Sequence, residues 1–159
     1  MRFILLVAPG AYEYLTKKGS GCDVDVSRLF IYYNARVQEN SSGTLDDTGC
    51  SMTSGIQALE QHGVCLESIW PYDTNNVNRR PQDEAYRSAD GYRITGALQL
   101  DIDLDQMKSC LAQGFPFAFG LKLFTSFDKA AKCGVVPLPD ASEQSRPSHG
   151  RSVGHRSIH

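Results

Sequence analysis

The apolar pattern changes its period part-way along the chain, and that switch constrains the fold more than any other feature. Between residues 28 and 62, apolar side chains recur every three or four positions, the spacing that gathers them on one side of a helix. Between residues 115 and 124, Phe117, Phe119, Leu121 and Leu123 alternate with other residues, which is the period of a strand. Helical segments first and strand-like segments later predict an α+β fold rather than a wound parallel sheet.

Local signals give the elements. Residues 11–18 read as the end of a helix, with Tyr12 and Leu15 on one face, Glu13 and Lys17 paired one turn apart, and Gly19 as the stop. Ser27 is a good N-cap for a helix over residues 28–38, whose stripe is Leu29, Tyr32, Tyr33 and Val37. A third helix is predicted over residues 52–62, with Met52, Ile56 and Leu59 inward and Gly63 as its stop. Residues 39–49 and 73–80 are polar loops flanking it and the short apolar stretch 64–72. Later, residues 92–100 suggest a strand. Asp103 with Gln106 makes a capping box for a helix to Gln113, closed by Gly114. Residues 115–124 and 134–137 follow as strands.

Composition excludes some classes. With 159 residues, the chain can hold one domain with a real core. Its net charge of −2 gives no global attraction to nucleic acid or an anionic membrane. No apolar run approaches the roughly 20 residues of a membrane span. The opening MRFILLVAPG sits at the lower limit of a leader's apolar core and reads better as a buried strand or a first helical turn. The five cysteines are odd in number, and no CxxC pair occurs among them, which argues against a zinc or thioredoxin-type motif. No metal or other cofactor is expected. One or two disulfides stay possible with at least one thiol free, so compartment and oligomeric state stay open.

Several stretches carry a family likeness: "GAYEYLTKK", "VSRLFIYYNAR", "DDTGCSMTSGIQALEQHGVCLESIWPYD", "LDQMKSCLAQGFPFAFGLKLFTSF", "GVVPLPD" and "SHG". In kind and order they resemble the papain-like cysteine peptidases, bacterial-like branch, over roughly residues 8 to 150. The resemblance implies a helical lobe over residues 1–90, then an incomplete antiparallel β-barrel-like lobe over residues 91–145, with an aberrant or disordered tail over residues 146–159. It also implies peptide or protein substrates and thiolate–imidazole chemistry. A thiolate attacks the peptide carbonyl, a histidine protonates the leaving amine, an Asn or Asp orients the ring, and a backbone amide with a Gln holds the oxyanion. His149 falls at the place of that histidine. Cys50, Ser51 and Met52 fall at the substrate-cleft wall, where the family has a cysteine followed by paired glycines.

The departures matter as much. In the family's register the nucleophile falls near Phe3, which has no ionisable group, and no cysteine precedes Cys22. The orienting Asn and the oxyanion Gln have no counterpart. The apolar strand that follows the family's histidine is replaced by GRSVGHRSIH, as a frameshift or a gene cut at both ends would produce. The chain as written is therefore expected to be inactive, with a non-catalytic relative that binds peptides or a protein partner as the alternative.

Other candidates are weaker. "GSGC" before Cys22 has a nucleophile-like lead, but Asp23 and Asp25 would disfavour a thiolate there. Cys65 reads as a buried core thiol. Asp46 and Asp47 beside Thr48-Gly49 read as a turn rather than a metal or acid–base pair. His149, His155 and His159 read as tail rather than a metal site. Tyr32, Tyr33 and Trp70 read as packing, since no basic stripe accompanies them.

Overall fold

The computed structural model describes residues 4–40, 45–119 and 124–144. Six α-helices follow in order: α1 (Ile4–Ser20), α2 (Arg28–Glu39), α3 (Met52–His62), α4 (Asp83–Ala89), α5 (Leu104–Ala112) and α6 (Ala130–Cys133). Two 3₁₀ turns, Thr74–Asn76 and Thr125–Lys129, complete the regular structure.

The first three helices form the packed part. α2 lies against both α1 and α3, and α1 also touches α3. Leu29, Phe30 and Ile31 are at most 1% exposed. Burying side chains of this size contributes roughly 1.5–3 kcal/mol each, which fixes α2 as the central element. One apolar cluster joins Leu29, Phe30 and Tyr32 of α2 to Cys65, Trp70 and two alanines of α4. A second joins Val26 and Ile31 to Leu59 and Val64, with Tyr12, Tyr92 and Ile94 packed against it.

Helix ends obey their local signals where the signals are strong. The Ser27 hydroxyl caps α2 by accepting from the Phe30 amide at 3.2 Å. α3 spans Met52–His62 and ends at Gly63, whose φ of 70° is open to glycine. A Cβ at Gly63 would stand 2.1 Å from the Ala89 carbonyl oxygen, so the position also lets α4 approach. Asp103 caps α5 through the Gln106 amide at 2.8 Å. α1 runs past Gly19 to Ser20, and Gly21, at φ 73°, makes the turn. Glu13 and Lys17 do not pair with each other: Glu13 accepts from the Val26 amide at 3.1 Å, and Lys17 meets Asp23 at 2.7 Å. Val37 of α2 is 46% exposed, and the buried face lies one residue earlier, on Arg36.

The expected β-lobe shows no strand ladder among the described residues. The Val26–Leu66 bridge is isolated and antiparallel. Residues 92–100, 115–119 and 134–137 form no strand among the described residues. A strand exists only when a neighbour completes its hydrogen-bond ladder, and alternation alone supplies none. Phe117 and Phe119 do share a side, their rings 5.7 Å apart, as period two requires; residues 120–123 lie outside the described residues. No described helix is long and apolar enough to cross a membrane.

Candidate functional site

The segment from residue 45 to Ser54 runs from a loop into α3 and holds the three residues expected at the cleft wall. Gly49 is buried with φ 90° and turns the chain into Cys50. Cys50 is half-buried and packs against the α2 cluster. Ser51 is the N-cap of α3, its hydroxyl accepting from the Ser54 amide at 3.1 Å. Met52 opens the helix and is half-buried, while Ser51 is exposed. The three are consecutive at the entry to α3, where the Ser51 amide and hydroxyl are both engaged.

Glu39, at the end of α2, does much of that engaging. One carboxylate oxygen accepts from the Ser51 amide at 2.7 Å and the Ser54 hydroxyl at 2.5 Å. Burial pushes the Glu39 carboxyl up, but these donors together outweigh it and hold the group below its ordinary range. A carboxylate across the start of α3 also complements the helix dipole. α2 has the equivalent arrangement. Glu67 accepts from the Arg28 amide at 3.3 Å and the Tyr72 amide at 2.6 Å, while Ser27 donates to the Trp70 carbonyl at 2.5 Å.

The loop before Cys50 is held from below by α2. The Tyr32 hydroxyl donates to the Asp47 carboxylate at 2.5 Å. Burial, then the Asp47 carboxylate, keeps that phenol protonated well above the usual tyrosine range. Arg36, 2% exposed, donates to the Asp46 carbonyl at 2.9 Å and to Asn78 at 2.7 Å, and also to the Val77 carbonyl. Its guanidinium carbon stands 4.2 Å over the Tyr32 ring. Asp46 and Asp47 accordingly act through a turn, in which the Thr48 amide donates to the Asp46 carbonyl at 2.8 Å. No group of three or more potential metal ligands occurs among the described residues.

The thiols are unlike nucleophiles where their state is defined. Burial, with the Glu39 carboxylate adding and Arg36 opposing, pushes the Cys50 thiol up to about 12. Burial pushes Cys65, fully enclosed, up to about 11. Burial thus disfavours the thiolate at both, which slows their reaction with electrophiles without abolishing it. Cys22, Cys50, Cys65 and Cys110 are all free, Cys22 being exposed. His62 is the histidine within the described residues; burial, then Arg93, lowers its basicity, and it rests edge-on against Tyr86 with centroids 6.1 Å apart. It faces packing rather than a thiol. Phe3 and His149 lie outside the described residues.

Arg36, Glu39 and Glu67 escaped the sequence reading. Arg36 lies seven residues after Leu29, on the inward face by a period count, but a charged side chain there reads as solvated. The two glutamates act across 12 and 39 residues, and no local pattern encodes such a pairing. The available hint was that Ser51 and Arg28 begin helices and so present unpaired amides that attract a carboxylate.

No family model matches the chain. An uncharacterized peptidase C1-like protein of Acanthamoeba polyphaga mimivirus is 35% identical over 133 residues, or 77% of this chain and 42% of the relative. Among solved structures, xylellain, a cysteine protease from Xylella fastidiosa, aligns over 89% of this chain and 58% of its own, with a TM-score of 0.74 and 28% identity. The chain thus spans less than two thirds of the length of both of these proteins. This chain is similar in sequence to a peptidase C1-like protein and in fold to a cysteine protease.

Proposed function

We propose that the chain carries the helical lobe, the cleft wall and the catalytic imidazole of a thiol peptidase acting on peptides or proteins. The observation that carries this reading is the fold shared with xylellain over 89% of the chain. On this reading residues 1–90 belong to the helical lobe and 91–145 to the second lobe; residues 146–159, which include His149, lie outside the described residues. Cys50, Ser51 and Met52 face an extended substrate. In the reaction, a thiolate adds to the scissile carbonyl and the imidazole of His149 delivers its proton to the leaving amine; water then cleaves the thioester. On this reading the 159-residue chain by itself does not cleave: the resemblance puts Phe3 at the nucleophile's place, and burial disfavours the thiolates of Cys50 and Cys65.

The test compares the 159-residue chain with the product of the whole locus, read in all frames upstream of Met1 and downstream of His149, on fluorescein-labelled casein. The expected result is no cleavage by the chain and cleavage by the longer product, blocked by iodoacetamide and reduced about 10²–10⁴-fold by His149→Ala. Cleavage by the chain itself, the absence of any longer thiol-dependent product, or indifference to His149→Ala would overturn the reading.

A further inference from the structure

We propose that Arg36 is a buried positioning residue that links the turn at residues 73–78 to the cleft wall at residues 45–52, so that the turn sets where the wall stands. The consequence for substrate rests on the peptidase reading above; the link itself does not.

The geometry is two-sided. One terminal nitrogen of the Arg36 guanidinium bonds the Asp46 carbonyl and the Asn78 side chain together, at 2.9 and 2.7 Å. The other bonds the Val77 carbonyl. Asp46 and Asn78 belong to different segments of the chain, and both bond this one side chain of α2. Among the described residues no carboxylate oxygen lies within 4.0 Å of this guanidinium. Its charge is met by neutral oxygens and the Tyr32 ring instead. The remaining donor, Nε, is buried without a partner. The group is thus committed to the two loops and is not the half of an ion pair. Tyr32 doubles the hold on the wall side by stacking under Arg36 and bonding Asp47. Cys50 and Val77 pack against the same apolar cluster, so both loops share one floor. The planar guanidinium holds the turn from both of its terminal nitrogens; a lysine ammonium has one nitrogen and no fork, so it loses part of this set.

Cys50 reports the wall and Cys65 reports the core, so alkylation of the native 159-residue chain by iodoacetamide, followed by peptide mass spectrometry, reads the link. Asn78→Ala changes only the turn. The expected result is about tenfold faster alkylation of Cys50 with Cys65 unchanged. Asn78→Asp keeps an acceptor and restores the wild-type rate. Asn75→Ala, whose side chain bonds only Asp73 in the same turn, leaves Cys50 at the wild-type rate. Arg36→Lys keeps the charge and accelerates Cys50 as Asn78→Ala does. An unchanged Cys50 rate in Asn78→Ala would overturn the link. So would Cys50 and Cys65 accelerating together, equal acceleration by Asn75→Ala, or wild-type behaviour of Arg36→Lys. None of these readings requires cleavage, so a failure of the peptidase assignment is separable from a failure of the link.

Discussion

Removing the Ser27 hydroxyl should destabilise this protein more than removal of any exposed helix cap. The side chain is fully buried and makes two bonds at once, accepting from the Phe30 amide and donating to the Trp70 carbonyl. Ser27→Ala loses the cap, worth about 1 kcal/mol. It also strands the Trp70 carbonyl without that donor, which costs about 1–3 kcal/mol more. The sum is roughly 2–4 kcal/mol, a large share of a typical 5–15 kcal/mol stability. At about 2–4 °C per kcal/mol for a chain of this size, the thermal midpoint should fall by roughly 10 °C. Ser51→Ala is the comparison. Ser51 also caps a helix, but it is exposed, and Glu39 still holds the Ser51 amide and the Ser54 hydroxyl; its loss should cost only about 1 kcal/mol. Urea titration followed by circular dichroism measures both variants. If Ser27→Ala falls within 1 kcal/mol of wild type, or no further than Ser51→Ala, the stranded carbonyl is not the controlling cost.

Gly63→Ala should cost more than 4 kcal/mol or prevent folding, since it combines a left-handed φ with a Cβ 2.1 Å from the Ala89 carbonyl; a soluble variant with an unshifted urea midpoint would contradict this. Glu39 gives a signed pH effect. Its folded carboxyl is held below the ordinary 4.5, so its contribution is present above that value and is lost as pH falls through the folded titration. Wild type should therefore lose more stability between pH 6 and pH 3 than Glu39→Gln, and equal losses in urea midpoint would refute the assignment. Glu143 accepts from the Thr125 hydroxyl and the Ser126 amide, and these donors hold its carboxyl down at about 2. Carbon-detected NMR titration should find its midpoint there, and a midpoint near 4.5 would mean that the tether does not form in solution.

Punctuation residues made half of this fold legible. Ser27, Gly63, Asp103 and Gly114 each act within four residues of themselves, so α2, α3 and α5 could be placed from sequence. α4 could not. Gln82 gives it no side-chain cap, and its seven residues are held by Ala85 and Ala89, both fully buried, and by Tyr86, which bonds Asn34 at 2.9 Å. Alanines carry no period of their own, and the partner lies 52 residues away. The strand expectations failed to find a ladder among the described residues because alternation states only which side a residue faces, not what it pairs with. At the site, Cys50, Ser51 and Met52 were singled out by likeness to a family, not by a local pattern. Arg36 was missed because a charged residue is read as solvated until a cage of carbonyls is seen around it.

The join between Lys18 and α5 bears on the order of assembly. The Lys18 ammonium donates to the Gly114 carbonyl at 2.9 Å and stands 5.6 Å over the Phe115 ring, across 96 residues of chain. Closing so long a loop from the open chain costs about 4 kcal/mol, whereas one exposed charged hydrogen bond returns about 1.5–3. The contact cannot lead. Once Ile94 has settled on the cluster formed by α1, α2 and α3, the remaining loop is about a fifth as long and its closure costs about 2.7 kcal/mol. α5 therefore docks last, onto a helical half that is already formed, and its departure should be the first step when the protein comes apart.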